Sequence, residues 1–531
     1  MVKAVKPIMN DKTSAFSDSL LSAIPWVIIS KLLLFIVYFS ISVLTVRYLG
    51  TEDYGIYVIC KSIAEVLILV CTLGMTGAFM RFIPELILLK NKAGIKRLIL
   101  KASSLQLIAF IVIGSGLYLS SGMIGSYFSI AFNGALFFTL LLVIFELTKT
   151  NVNAILTSLY RARTLTLFST INGICWITFL YIFLEYDPSV SNALFAPALS
   201  YGIIYLIAGL AIYQYLNSLN WKSPTYSLGK KRVLKHSSSI AASMLVRLMM
   251  LKYTELFFLG GQHDAETVGM YDLAFSLPMM AIVFIPAAIQ DLFVSGFSEA
   301  YVKDHNALPR LIRAFYKILI LLTVPIATFG FFFAPEFLIF SYGPSLTKVA
   351  ELCSVFCLIH LLPLISMPLS MGIQAKEKVL NMFPTLLMQL GVNLILDYLF
   401  IVQLQWGVWG ALCAIFLTFA LTIPVRLYVV NKVLGGIYFP GRFFLRIFGI
   451  SMIIGFSIQY FTHSPNIITL LTLAPFYAIG ITIAINLLGL LTDEDTSDLN
   501  MISNGKFSTY INFFKERIFK FSLPKPNTKQ T

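Results

Sequence analysis

Charge is scarce in this sequence: Asp, Glu, Lys and Arg make up 12% of the 531 residues, against 58% hydrophobic ones. Soluble domains carry about a quarter charged residues, so a water-soluble globular fold is excluded. Strict apolar–polar alternation is also missing, which excludes a transmembrane β-barrel. No G-x-x-x-x-G-K-[ST] motif is present, and the nearest candidate, Gly229-Lys230-Lys231, lacks the glycine spacing that cradles phosphates. Nucleotide hydrolysis by a P-loop is therefore not expected. The six cysteines (Cys60, Cys71, Cys175, Cys353, Cys357 and Cys413) all lie in apolar runs. Cys353 and Cys357 share a helix face, but no His or carboxylate cluster stands beside them, so neither a metal nor a cofactor is expected. A large outer loop is lacking too, which argues against a membrane-embedded glycosyltransferase or ligase.

What fills the chain is a series of long apolar runs, with a mean hydropathy of +0.84. A helix needs roughly 20 apolar residues to cross a hydrocarbon core of about 30 Å. Fourteen such runs fall between roughly residues 26 and 491, so the expected fold is an all-α polytopic membrane protein of fourteen transmembrane helices. The basic stretch before residue 26 lacks a small-residue cleavage site and reads as a cytoplasmic segment before an uncleaved first span.

Basic residues fall on one side of this topology. They occur at Lys90, Lys92, Lys96, Arg97 and Lys101, at Arg161 and Arg163, at Lys230, Lys231, Arg232 and Lys235, and at later alternate connections. The opposite connections hold little more than Arg47 and Lys348. Positive loops stay in the cytoplasm, which puts both termini inside a cell (inner or plasma) membrane. The net charge of +14 then reports topology, and no nucleic-acid partner is expected. Near the C-terminus, INFFKERIFKFSLPKP interleaves Phe and Ile with Lys and Arg, a pattern suited to the surface of the inner leaflet.

One stretch recurs. RYLGTEDYGIYVICKS, from Arg47, is echoed by FFLGGQHDAETVGMYDLAFS, from Phe257. Each follows an apolar run with Leu-Gly and acidic residues, then opens the next run with Gly-x-Tyr. The copies join runs 1 and 2 and runs 7 and 8, so they predict two parallel six-helix lobes related by a pseudo-two-fold along the membrane normal, plus two C-terminal helices. The expected segments are an N-terminal piece (1–25), an N-lobe (26–216), a basic linker (217–236), a C-lobe (237–430), the last two spans (443–491) and a tail (492–531). Gly55 and Gly269 are read as hinges at the outer ends of the lobes, with Pro278 and Pro286 as further hinges within run 8.

The sequence resembles the polysaccharide and O-antigen flippase branch of the multidrug/oligosaccharidyl-lipid/polysaccharide exporter superfamily. Residues 47–85, NAILTSLYRART (153–164), residues 257–277 and GVNLILDYLFIVQLQWGVWGALCAIF (391–416) carry the resemblance. In the last of these, Asn393, Asp397, Tyr398, Gly407, Gly410 and Ala411 match the usual pattern, while Gln403 replaces a proline. The resemblance implies two lobes that open alternately around a central cavity without ATP. It also implies a polyprenyl-pyrophosphate-linked oligosaccharide as cargo, moved from the inner to the outer leaflet.

Ionisable residues within the apolar runs are the candidates for handling an anionic cargo, because a charge at mid-membrane costs about 2.5–3.5 kcal/mol on insertion scales. Arg247, deep in run 7, is the foremost substrate-binding candidate, followed by Lys31 and Lys252. Lys252 and Glu255, at i, i+3, are expected to pair. Coupling or gating candidates are Glu146, with Lys149 one turn away, Glu65, with Lys61 at i, i−4, and Glu255, Asp272, Asp397 and His360. Competing structural readings are internal pairs for Glu146–Lys149 and Lys61–Glu65, solvated helix ends for Asp272 and Asp397, and a hydrogen-bonded core position for His360. A proton or sodium ion, membrane lipids and glycan-synthesis enzymes are the further partners considered, with the chain acting as a monomer. The rival functions are a cation-coupled multidrug antiporter of the same superfamily and a non-transporting scaffold for glycan assembly.

Overall fold

The computed structural model describes residues 13–132, 134–159, 161–219, 221, 229–303, 307–376, 378–462 and 467–487. Every regular element among them is helical. The first half holds α1 (Thr13–Thr72), α2 (Met75–Leu88), α3 (Lys92–Leu119), α4 (Ser121–Phe128), α5 (Ala135–Ser158), α6 (Ala162–Tyr186) and α7 (Val190–Ser218). After the linker come α8 (Lys230–Leu248), α9 (Thr254–Gln262), α10 (Ala265–Lys303), α11 (Ala307–Tyr342), α12 (Thr347–Ile359) and α13 (Met367–Ala375). The chain continues through α14 (Phe383–Asp397), α15 (Gly407–Leu434), α16 (Gly441–Phe461) and α17 (Ile467–Leu487). Single π-helical segments occur at Met249–Tyr253 and Tyr398–Gln403.

Each expected apolar run falls on a helix, but not each on a helix of its own. Ten helices among the described residues are long and apolar enough to cross a membrane. Runs 1 and 2 belong to one element, α1, which bends at Gly50 (φ 74°, ψ −178°) without ending. No atom lies within 4 Å of where a Cβ at Gly50 would sit, so the glycine answers to backbone conformation and not to crowding. Run 7 starts on α8, just after its lysines, and is interrupted by a π-helical segment. Run 10 breaks at a 3₁₀ turn, Pro363–Ile365, between α12 and α13, where proline removes a backbone donor. Pro278 and Pro286 both lie inside the continuous helix α10. The basic aromatic segment at residues 513–520 lies outside the described residues.

The helices form two sets. In the first, α5 and α6 pack on α7, and α1 packs on α5 and α6. In the second, α10, α11 and α12 pack together, α14 pairs with α15, and α16 and α17 lie on α11. Large apolar side chains such as Leu100, Val112, Leu210 and Phe456 are exposed on the outside, as a bilayer-facing surface requires. This is a multi-pass, all-α membrane architecture.

The two sets meet at both ends of the second half of α1. At one end α1 and α10 cross with their backbones in contact. A Cβ at Gly55 would fall 1.7 Å from the Ala265 carbonyl oxygen, and one at Gly269 would fall 3.1 Å from Gly55 Cα. Gly55 and Gly269 are thus close-approach positions inside helices, and the backbone of α1 departs from helical angles at Gly50. At the other end, a Cβ at Gly74 would lie 2.0 Å from the Ser237 carbonyl oxygen on α8. There the Arg232 guanidinium donates to both oxygens of Glu85 at 2.9 and 3.0 Å. Nineteen residues separate Gly55 from Gly74, about 29 Å at 1.5 Å per residue, close to the thickness of a hydrocarbon core.

Candidate functional site

Between the two helix sets lies a cavity of about 540 Å³, walled by α1, α5, α6, α7, α10 and the first π-helical segment. It gathers six charged side chains: Lys61 and Glu65 from α1, Glu146 and Lys149 from α5, Lys252 from the π-helical segment, and Asp272 from α10. Tyr38, Tyr54, Tyr57, Trp176, Tyr201 and Tyr253 give it an aromatic lining. The charged groups lie far apart in sequence. They converge because α1 and α10 cross at Gly55 and Gly269, which aligns the following turns of both helices on the same space.

Two of the three cations are already paired. The Lys252 ammonium donates to Asp272 Oδ1 and, at 2.9 Å, to Ser276 Oγ. The second carboxylate oxygen of Asp272 accepts from the Tyr54 hydroxyl at 2.8 Å. Asp272 therefore links both helix sets, and the reading as a solvated helix end is overturned: Asp272 is only 8% exposed. Lys149 donates to Glu146 Oε1 at 2.9 Å and stands 4.1 Å from the centre of the Tyr201 ring, so the expected internal pair is present. Glu65 accepts from the Tyr253 hydroxyl, again across the two sets. The expected Lys61–Glu65 pair is absent. Lys61 faces the cavity with no hydrogen-bond or ion-pair partner among the described residues.

The expected Lys252–Glu255 pair is likewise not formed. An i, i+3 spacing joins neighbours on a regular α-helix, but Lys252 lies within a widened π turn while Glu255 lies on the α turn after it. The insertion points Lys252 into the cavity and Glu255 away from it.

Glu255 belongs to a second, dry cluster with Thr254, Asn393 and Asp397. The Asn393 amide lies 2.9 Å from Glu255 Oε1, 2.6 Å from Asp397 Oδ2 and 3.2 Å from the Thr254 hydroxyl. The Thr254 hydroxyl donates to Glu255 Oε2 at 3.0 Å. Both carboxyl groups are fully buried, so the helix-end reading of Asp397 fails as well. Among the described residues Asp397 Oδ1 has no partner, and neither does the buried Tyr271 hydroxyl, which lies within electrostatic reach of both carboxylates. No Lys or Arg among the described residues pairs with this cluster. Two adjacent buried carboxylates need a proton or a bound cation for compensation. Among the described residues, no group of three or more His, Cys, Asp and Glu side chains is placed to hold a metal ion; the donors here are two carboxylates, an amide and a hydroxyl, suited to a proton or an alkali cation. Both π-helical segments abut the cluster, one just before Thr254 and one just after Asp397; such segments concentrate at functional sites.

Other candidates fall elsewhere. His360 is a core residue: it is 4% exposed, its Nε2 lies 2.9 Å from the Phe275 carbonyl oxygen, and its ring packs edge-on against Phe275. Arg247 and Lys31 lie on α8 and α1, but their side chains are outside the described residues. Asn393 is the main site residue that sequence reasoning missed. The signal was available, since Asn393 and Asp397 share a helix face at i, i+4, but nothing in the sequence linked them to Glu255.

Known proteins place this architecture. The chain is similar to the lipid II flippase MurJ in an inward closed conformation, with a TM-score of 0.67, 14% identity, and coverage of 87% of this chain and 98% of that one. It is also similar to an inward-facing multidrug resistance MATE family transporter of the MOP superfamily (TM-score 0.60, 16% identity, covering 76% and 94%). A third likeness is to a MOP superfamily transporter from Pyrococcus furiosus (TM-score 0.56, 14% identity, covering 80% and 96%). At these identities the likeness establishes a shared fold. No curated protein matches at the level of sequence. A family profile described as "Polysaccharide biosynthesis protein" matches residues 43–351, more than half of the chain. On that match the chain belongs to the polysaccharide biosynthesis protein family.

Proposed function

We propose that this protein is a flippase. It moves an anionic, polyprenyl-pyrophosphate-linked oligosaccharide from the inner to the outer leaflet by rocking two lobes, with both termini cytoplasmic. The observation that carries this reading is a junction of unlike spaces. The charged cavity shares Leu277 and Met280 with an apolar pocket of about 240 Å³ lined from α1, α10, α11 and α17. An amphiphile suits that junction: the headgroup meets Lys61 and the aromatic rings, and the lipid chain leaves through Phe35, Phe39, Phe329 and Phe333. Paired Lys149 and Lys252 supply further cations when a phosphate displaces Glu146 or Asp272. Arg247 adds another on this reading, and an inside-negative potential favours outward movement by about 2.3 kcal/mol per charge per 100 mV.

Energy enters at the Glu255–Asn393–Asp397 cluster, where a proton or sodium ion neutralises the carboxylates in one state and leaves in the other. That cluster also favours the second reading, a cation-coupled multidrug antiporter. The described wall of the cavity is moreover balanced, with Lys61, Lys149 and Lys252 against Glu65, Glu146 and Asp272, which suits an organic cation as well as an anion. Liposomes holding the purified protein separate the two. Under the flippase reading, lipid-linked oligosaccharide crosses the bilayer and Arg247→Ala abolishes crossing without impairing membrane insertion. Transport of organic cations with no glycolipid movement would establish the antiporter, and movement of neither would return the chain to a scaffold.

A further inference from the structure

Behind the central cavity, α5 turns its other face to a separate groove. Glu146 and Lys149 point inward, while Leu147, Thr148, Asn151 and Ile155 line a space of about 430 Å³ bounded by α3 and α7. The groove is apolar, and the polar groups at its base are spent on each other. Asn151 donates to Gln106 Oε1 at 2.6 Å, and Gln106 donates to the Thr72 carbonyl oxygen at 3.0 Å. Its rim carries apolar side chains exposed to the surroundings, Leu100 and Leu107 among them, so in a bilayer it opens onto lipid.

Its two ends differ in charge. At the Lys- and Arg-rich end, the Lys96 ammonium donates to the Asn217 side-chain oxygen and stands 5.0 Å over the Tyr213 ring. Lys96 has no carboxylate partner among the described residues. The groove runs along α3 from Lys96 to Phe110, about 21 Å at 1.5 Å per residue, which exceeds the ~15 Å depth of one leaflet.

We infer that this groove is a seat for one anionic glycerophospholipid of the bilayer, with an acyl chain along α3 and the phosphate at Lys96. The chemistry is complementary at both ends: a dry apolar slot for the chain, and a cation held over an aromatic ring at the depth of the headgroup. Because α5 separates this seat from the cavity by one helix thickness, a bound lipid braces the helix that carries Glu146 and Lys149.

Gly209 gives a clean test, since it lines the groove and nothing lies within 4 Å of where its Cβ would stand. Leucine there fills the slot without striking the fold. Native mass spectrometry of the full chain, titrated with phosphatidylglycerol or phosphatidylcholine, is expected to show one retained phosphatidylglycerol, favoured about fivefold, the ratio for a single interfacial Lys–anion contact. Lys96→Gln is expected to erase the preference while keeping lipid binding, and Gly209→Leu to remove the bound lipid with thermal stability unchanged. Equal retention of the two lipids by the unmodified chain, or full retention by Gly209→Leu, overturns the proposal. Displacement of the phospholipid by a polyprenyl phosphate overturns it too and assigns the groove to an isoprenoid chain.

Discussion

The central cavity and the Glu255–Asn393–Asp397 cluster both hold carboxylates inside the membrane region, yet they solve the cost of that burial in opposite ways. In the cavity each carboxylate meets a donor from this chain: Lys149 for Glu146, Lys252 and Tyr54 for Asp272, Tyr253 for Glu65. In the cluster the donors are a neutral amide and a hydroxyl, and Asp397 Oδ1 meets none. The first site is balanced from within, three lysines against three carboxylates. The second lacks a positive charge among the described residues, so its neutrality comes from outside the chain.

The strongest way to break this contrast is to remove one side of a pair. Lys252→Met is expected to destabilise the protein by about 3–5 kcal/mol, because it strands the buried Asp272. Adding Asp272→Leu should restore most of that loss, and thermal unfolding in detergent measures both. A single variant as stable as the unmodified protein would mean that water already serves Asp272.

Asp397→Asn sharpens the other side. It is expected to weaken the dependence of transport on a proton or sodium gradient at least about tenfold, the loss of one charge-assisted contact, while folding is retained. Gradient dependence that survives would exclude the cluster as the coupling site. Lys61→Gln comes next: headgroup affinity should fall about tenfold, within the ~1.5–3 kcal/mol range of a hydrogen bond to a charged group, with Lys61→Arg restoring it. Unchanged affinity would move recognition to the paired lysines. The smallest effect is expected from Gly269→Ala, where the new Cβ meets Gly55 Cα at 3.1 Å. A stability loss of about 1 kcal/mol is expected from such overpacking, and crosslinking between α1 and α10 would report looser closure.

Much of the fold was legible because the bilayer imposes it locally. Apolar runs must be helices when no water is present to satisfy the backbone, so helix positions could be read without knowing any contact. The echo at Gly55 and Gly269 was also visible, but its meaning was not. Glycine in a polar interruption reads equally as a turn or as a close approach, and only the crossing of α1 with α10 distinguishes them. The same holds for Lys252 and Glu255, whose spacing predicts a pair on any regular helix. One π-helical segment sends them to different sites.

The sequence by itself determined the solvent, the helical class and the set of intramembrane charges, because burial in hydrocarbon acts on each segment separately. Tertiary structure alone decided which charges are neighbours. Ion pairing depends on distances of a few ångströms between helices far apart in the chain, and these are fixed by glycine-to-backbone crossings and widened turns that hydropathy does not register.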